Sequence, residues 1–255
     1  MASFSKRRAY EIVQHHAGNI MPGLSLGIGS VATVITAPPE NPAKLLVQIG
    51  GALLTCTASG LVTNKYTKQN TWAHANSNAF SGATGLLANA VLTFNGLHAM
   101  YTAYASHDVT GVGFGLSLAV ANGVFFARGN AAVLVDAVRE MRRINGETES
   151  FPQTNWNGVS WNYAAGSFGI VIAGALALPK MPQVGFQLIG IGLSFMASPV
   201  SNMVMASPVS NMVSNVGWRE TLASLRTAPD DMAAATTQAR QVFRLLRREP
   251  ASVTP

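Results

Sequence analysis

The chain has 255 residues and a formal net charge of +6, but charged residues make up only 11% of it. Soluble domains hold about 25%, which argues against an ordinary soluble domain, and the deficit is filled by small and polar residues rather than by apolar bulk. The single cysteine, Cys56, excludes a disulfide within the chain and, in an apolar run, reads as a small packing residue.

The charges are clustered. Windows 45–64, 109–127, 151–179 and 181–218 contain no Asp, Glu, Lys or Arg, and 69–106 contains only His74 and His98. A helix needs about 20 such residues to cross the ~30 Å hydrocarbon layer. In chain order the windows predict six spans, at 20–37, 43–62, 80–103, 109–127, 159–178 and 184–204. The fold expected is all-α, a polytopic membrane bundle. The first apolar run follows a long polar stretch, and Ala37 precedes Pro38 and Pro39, a poor cleavage context. It reads as an uncleaved span rather than a secretory signal.

The connections test this order. With the N-terminus in the cytoplasm, only Lys44 and Lys180 of the 17 basic residues fall on the outer side. That asymmetry is what the positive-inside rule demands, and it puts both termini inside. A bacterial inner membrane is the expected location, with anionic lipid at the basic rim. No basic run is interleaved with aromatics, so nucleic acid is not an expected partner.

The organisation expected is a basic segment at 1–19, a four-span half at 20–127, a cytoplasmic amphipathic linker at 128–158, a two-span half at 159–213 and a cytoplasmic helix and tail at 214–255. In the linker, Leu134, Ala137, Met141 and Ile144 form one stripe. In the tail, Asp230 and Asp231 open a helix that ends in Arg244, Arg247 and Arg248, the sign order favoured by the helix dipole. Both helices read as lying on the bilayer or against the bundle, or as docking sites for a partner. Tyr66, Trp72, Trp156, Trp161, Tyr163 and Trp218 read as interface anchors near span ends.

Small residues recur at four-residue spacing: Gly23 and Gly27; Gly51, Thr55 and Ser59; Gly111, Gly115, Ala119 and Gly123; Ala165, Gly169, Ala173 and Ala177; Gly190, Ser194 and Ser198. Such spacing packs helices closely in lipid, where apolar burial gives no drive. There is no phosphate loop, CxxC or HExxH, and no enzyme is expected.

Residues 48–59 and 187–198 share Gln48/Gln187, Gly51/Gly190, Leu54/Leu193, Ala58/Ala197 and Ser59/Ser198. Spans one and two would then repeat as spans five and six, the parallel-repeat plan of some transporters. With Pro182–Gln183 at a span junction, the plan weakly resembles the PQ-loop and sugar-exporter architecture over two short windows. It lacks the seventh span, and Pro38–Pro39 stands where a Pro–Gln pair belongs, so no family is identified.

No span interior holds Asp, Glu, Lys or Arg, which argues against a proton-driven carboxylate mechanism. Ser81, Thr84, Asn95, His98 and Thr102 fall on one stripe of the third span. The stripe reads as a solute path or as interhelical hydrogen bonding. Gln48, Gln187, Asn122 and Asn162 are its candidate partners. His98 has no second histidine at similar depth, so no haem, and no other cofactor or metal, is expected. The function expected is a transporter or channel for a small neutral solute, or else a non-catalytic membrane subunit that packs with partners or with its own copies.

The nonapeptide Met-Ala-Ser-Pro-Val-Ser-Asn-Met-Val occurs twice in tandem, from Met196 and from Met205. One helix over 181–218 would be about 57 Å long, too long to lie within the bilayer. The repeat is read as a tolerated duplication at the membrane exit, or as a hinge at Pro199 and Pro208.

Overall fold

A computed structural model of the protein describes residues 49–54, 56–57, 71–146, 154–197, 223 and 225–246. Every regular element among them is helical: α1 (Trp72–Ala105), α2 (Val109–Val120), a π-helical turn (Ala121–Phe126), α3 (Ala127–Ile144), α4 (Trp156–Ala177), α5 (Pro182–Ala197) and α6 (Ala228–Leu246). Residues 49–54 and 56–57 are helical too. The first span, both prolines of the nonapeptide repeat and most of the second span lie outside the described residues.

Among the described residues two helices are long and apolar enough to cross a membrane, Val109–Ile144 and Trp156–Ala177. α1 has 34 residues, about 51 Å, but Asn89, Asn95 and His98 in its later part leave it less apolar than these two. Thr71 starts it as N-cap, its hydroxyl accepting from the His74 amide at 3.3 Å. His107, in the left-handed region at φ 56, turns the chain into α2. Asn155 caps α4 in the same way, accepting from Gly158 N at 3.0 Å.

The linker helix expected at 131–144 is not a separate element. It continues from α2 through the π turn, so Val109–Ile144 is a single helix of 36 residues. Nothing in the sequence breaks the helix at 127, and the π turn at Ala121–Phe126 carries it on. Ala132, Val133, Val135 and Ala137 are buried in the bundle, so this face meets protein.

The helices form a row in which each packs against its chain neighbour. Residues 49–57 lie on α1. α1 lies on α2, the π turn and α3; these lie on α4, and α4 on α5. α6 crosses the row over α3 and α4. Glycines set the register. Gly82 faces Leu134, Gly85 faces Asn130 and Gly96 faces Ala119, so α1 runs antiparallel to the 109–144 helix. Gly129 faces Tyr163, Gly166 faces Phe126 and Gly169 faces Ala121. Of the small residues expected to pack helices together, Gly115, Ala119 and Gly169 lie at such crossings, while Gly82, Gly85, Gly96, Gly129 and Gly166 are further ones. A Cβ on Gly96 would lie 2.7 Å from the Ala119 nitrogen, and one on Gly174 2.7 Å from the Gly185 carbonyl. Gly190 differs: it is exposed, with nothing near it.

This register shifts one boundary. Residues 109–127 run beside residues 88–106 of α1. Residues 80–87, read as the start of the third span, run beside 128–136, which holds Arg128 and Asp136. The two windows are offset by about two turns.

The two ends of the row differ in chemistry. At one end Lys180, between α4 and α5, pairs with Asp108, between α1 and α2. At the other, Thr154 donates to Asp136 at 2.8 Å and accepts from Arg139 at 3.1 Å. Asn155 donates to Asp231 of α6 at 3.0 Å.

Candidate functional site

α1 presents three faces, and the predicted polar stripe divides between two of them. Ser81 and Thr84 are buried. Thr84 shares a hydrogen bond with Thr57 at 2.9 Å, and Ser81 donates to the Ser77 carbonyl at 2.9 Å and the Thr57 carbonyl at 3.3 Å. They form a closed seam against the 49–57 helix. Asn95 is half-buried, while His98 and Thr102 are exposed; Thr102 only donates back to the His98 carbonyl at 3.0 Å. Gln187 is exposed on α5, and Gln48 lies outside the described residues. The predicted set is thus not gathered at one place. Cys56 is a free, exposed thiol, not the packing residue its apolar neighbours suggested.

The third face of α1 looks onto the 109–144 helix and carries polar residues that the stripe does not include. Asn89 sits one turn from Gly85 and one from Thr93. Its side chain is 2% exposed, and its Nδ2 has no hydrogen-bond partner among the described residues. Gly85 leaves room for the Asn130 amide, and Asn130 accepts from the Tyr163 hydroxyl at 2.8 Å. Gly129 leaves room for the Tyr163 ring, which lies 5.7 Å from that of Phe126. Tyr163, read as an interface anchor, points instead into the core, at 1% exposure.

These groups lie level with the π turn. Asn122 is buried within the turn and donates to the Leu118 carbonyl at 2.9 Å. On α4, Asn162 and Ser167 are fully buried; Asn162 donates to Gly158 O at 2.8 Å. Asn162 Oδ1 and Ser167 Oγ have no partner among the described residues. Residues 85–93 of α1 bound the layer, so it is roughly 12 Å deep. π turns are frequent at functional sites, and a buried polar group without a partner costs about 1–3 kcal/mol. Amides and hydroxyls can bind water or a neutral solute but cannot carry a proton at ordinary pH. One signal for the layer was present in the sequence: Gly85, Asn89, Thr93 and Gly96 form a second small-and-polar stripe on α1.

Among the described residues no three His, Cys, Asp or Glu side chains gather to hold a metal.

Beyond the layer, towards the Asp108–Lys180 end, the outer surface is mostly apolar, with His98, Thr102 and Gln187 set among apolar side chains. Phe94, Leu97, Tyr101 and Tyr104 of α1, Leu116 and Val120 of α2, Phe168 and Ile172 of α4, and Phe186 and Leu193 of α5 are all exposed. With Leu87 they make a band rising roughly 25 Å along α1.

Comparison with protein families, with curated proteins and with solved structures gives no match to the chain.

Proposed function

We propose that the protein is an integral membrane protein of about six spans, with both termini cytoplasmic, serving as a non-catalytic subunit that packs with other membrane proteins. The observation that carries this is the exposed apolar band around the Asp108–Lys180 end of the row. It fits the hydrocarbon layer, and a soluble monomer rarely exposes so large a patch. The closed seam at Ser81 and Thr84 and the outward position of His98 and Thr102 favour packing over a path through α1. The orientation is supported by Lys180: one of the two basic residues assigned outside is paired with Asp108, so its charge is offset there. The internal duplication stays part of this reading, as the origin of the small-residue faces on spans two and six.

A transporter for a small neutral solute is the second reading. It is favoured by one observation, the layer at the π turn with Asn89, Asn162 and Ser167 incompletely paired.

Cysteine accessibility separates the two. With Cys56 replaced by Ser, single cysteines at Ser81, Thr84, Asn89 and Asn95 are treated with membrane-impermeant thiol reagent from each side. The subunit reading expects protection at Ser81, Thr84 and Asn89. Labelling there from either side refutes it and favours a path. Recovery of the chain in the soluble fraction after alkaline extraction refutes both.

A further inference from the structure

One buried donor of α1 sits in the middle of a closed helix contact. Gly82, Gly85, Thr93 and Gly96 mark the face on which α1 meets the 109–144 helix; they stand against Leu134, Asn130, Gly123 and Ala119. Asn89 lies between Gly85 and Thr93 on that face, so the 109–144 helix covers it. It is 2% exposed, and its Nδ2 meets no acceptor among the described residues.

An acceptor stands one turn away. Helix side chains lean towards the N-terminus, which carries the Asn89 amide over Gly85. The Asn130 amide fills the room at Gly85: a Cβ there would lie 2.6 Å from Asn130 Cγ and Oδ1. Asn130 is also 2% exposed. Its Oδ1 accepts from the Tyr163 hydroxyl at 2.8 Å, which uses one of its two lone pairs. A spare donor and a spare acceptor are thus buried within a turn of each other and do not bond directly.

We propose that one resident water bridges them, accepting from Asn89 Nδ2 and donating to Asn130 Oδ1. The Tyr163 oxygen beside Oδ1 is the third partner, and about three is the number a buried water takes. The size of the occupant follows from the contacts on either side. A Cβ on Gly82 would lie 2.8 Å from the Leu134 nitrogen, and one on Gly123 2.8 Å from Thr93 Cγ2. The helices close on the site from both ends, and a water fits where a solute does not. Its charge follows from the lining, because amides and a phenol offset no ion. The bridge ties α1 to the 109–144 helix and, through Tyr163, to α4. It does not depend on the membrane reading, and it goes beyond the second reading by naming a held occupant in place of a passing solute.

The test is water-edited nuclear magnetic resonance on the full chain, with isotope-labelled nitrogen in the asparagine side chains. Magnetisation passes from water to the amides, and Asn89→Ala identifies the Asn89 signal by its loss. Asn122 Nδ2, bonded to the Leu118 carbonyl at 2.9 Å, is the dry reference. Transfer to Asn89 is expected to be severalfold stronger than to Asn122. It is expected to fall to the reference level in Asn130→Leu and to persist in Tyr163→Phe, which keeps both amides. Glycerol and urea, as probes for a small neutral solute, are expected to leave it unchanged. Equal transfer to Asn89 and Asn122 in the parent chain would overturn the water, and so would a contact from Asn89 Nδ2 to a protein side chain in its place. This comparison decides the water even where a variant fails to fold. A signal undiminished in folded Asn130→Leu would overturn the bridge, and replacement of the water signal by a glycerol or urea contact would make the occupant a solute and overturn the assignment.

Discussion

The two halves of the helix row are held together by different physics. Towards the Asp108–Lys180 end, backbones meet through glycine: Gly96 against Ala119, Gly115 against Met100, Gly174 against Gly185. Towards the other end glycine contacts continue, Gly82 against Leu134 and Gly158 against Asp231, and side chains add ties that the first half lacks within its helices: Thr57 to Thr84, Asn130 to Tyr163, Thr154 to Asp136 and Arg139, Asn155 to Asp231. On the membrane reading proposed above, the difference follows from what surrounds each half. In hydrocarbon there is no apolar drive between helices, so close contact supplies the attraction. Where water is near, polar side chains can reach both solvent and neighbour, and Asp and Arg become tolerable.

The sharpest way to break this contrast is to add bulk in the glycine half. Gly96→Leu puts a Cβ against the Ala119 nitrogen and the Gly115 carbonyl, backbone atoms that cannot rotate away. Overpacking typically costs about 1–3 kcal/mol and more where nothing can yield, so this variant is expected at or above the upper end, by thermal unfolding in detergent. Gly190→Leu, at an open position, is expected to change little. Similar losses for the two would show that glycine content, not contact, matters.

Next comes the bonded half. Asn130→Leu removes the acceptor of the buried Tyr163 hydroxyl, with an expected loss of about 1–3 kcal/mol. Tyr163→Phe should cost less, and the double variant should cost less than the sum of the two, because they share one bond. Full additivity would mean that the pair is not formed.

A smaller effect is expected at the α6 junction. Asp231→Ala loses the bonds to Asn155 and Thr227, each worth about 1 kcal/mol. Amide exchange should quicken in α6 and at the start of α4, and not in α2. Faster exchange throughout the chain would mean that α6 is integral to the row rather than laid across it.

The smallest effect belongs to the Asp108–Lys180 tip. The Lys180 ammonium beside Asp108 holds its carboxyl below the usual carboxylate range. A group depressed in the folded state stabilises above its unfolded pKa, about 3.9, and that contribution is lost as pH falls through the folded value. The pair is exposed, so salt screens it. Between pH 7 and pH 3 the melting temperature of the parent is expected to fall slightly more than that of Asp108→Asn, and high salt should erase the gap. A larger fall in Asp108→Asn would reverse the assignment.

Much of the row was legible beforehand because its signals are local. The helical character of the charge-free windows, and the packing role of Gly115, Ala119 and Gly169, follow from composition and spacing alone. The candidate site was less legible. Ser81 and Thr84 share a stripe with His98 and Thr102, and angle alone cannot separate them; it is the contact with Thr57 that seals the first pair. Tyr163 lies in the second turn of α4, where an aromatic serves equally as anchor or as core. Only the space at Gly129 and the acceptor on Asn130 turn it inward. Asn89 is a lone amide among small residues, and only the contacts of Gly85 and Gly96 with α2 and α3 show that its face is buried.

By itself, then, the sequence determined which stretches are apolar enough to leave water, how the basic residues are distributed, and where small side chains permit close approach. These are one-dimensional properties, set by residue type and spacing along the chain. The tertiary structure decided the register that offsets residues 80–103 from 109–127. It also decided the continuation of α2 into α3 through the π turn, and which polar groups of α1 are sealed, paired or left outward. Those depend on the rotation and height of one helix against another. The contacts between helices fix both, and no spacing within a single helix contains them.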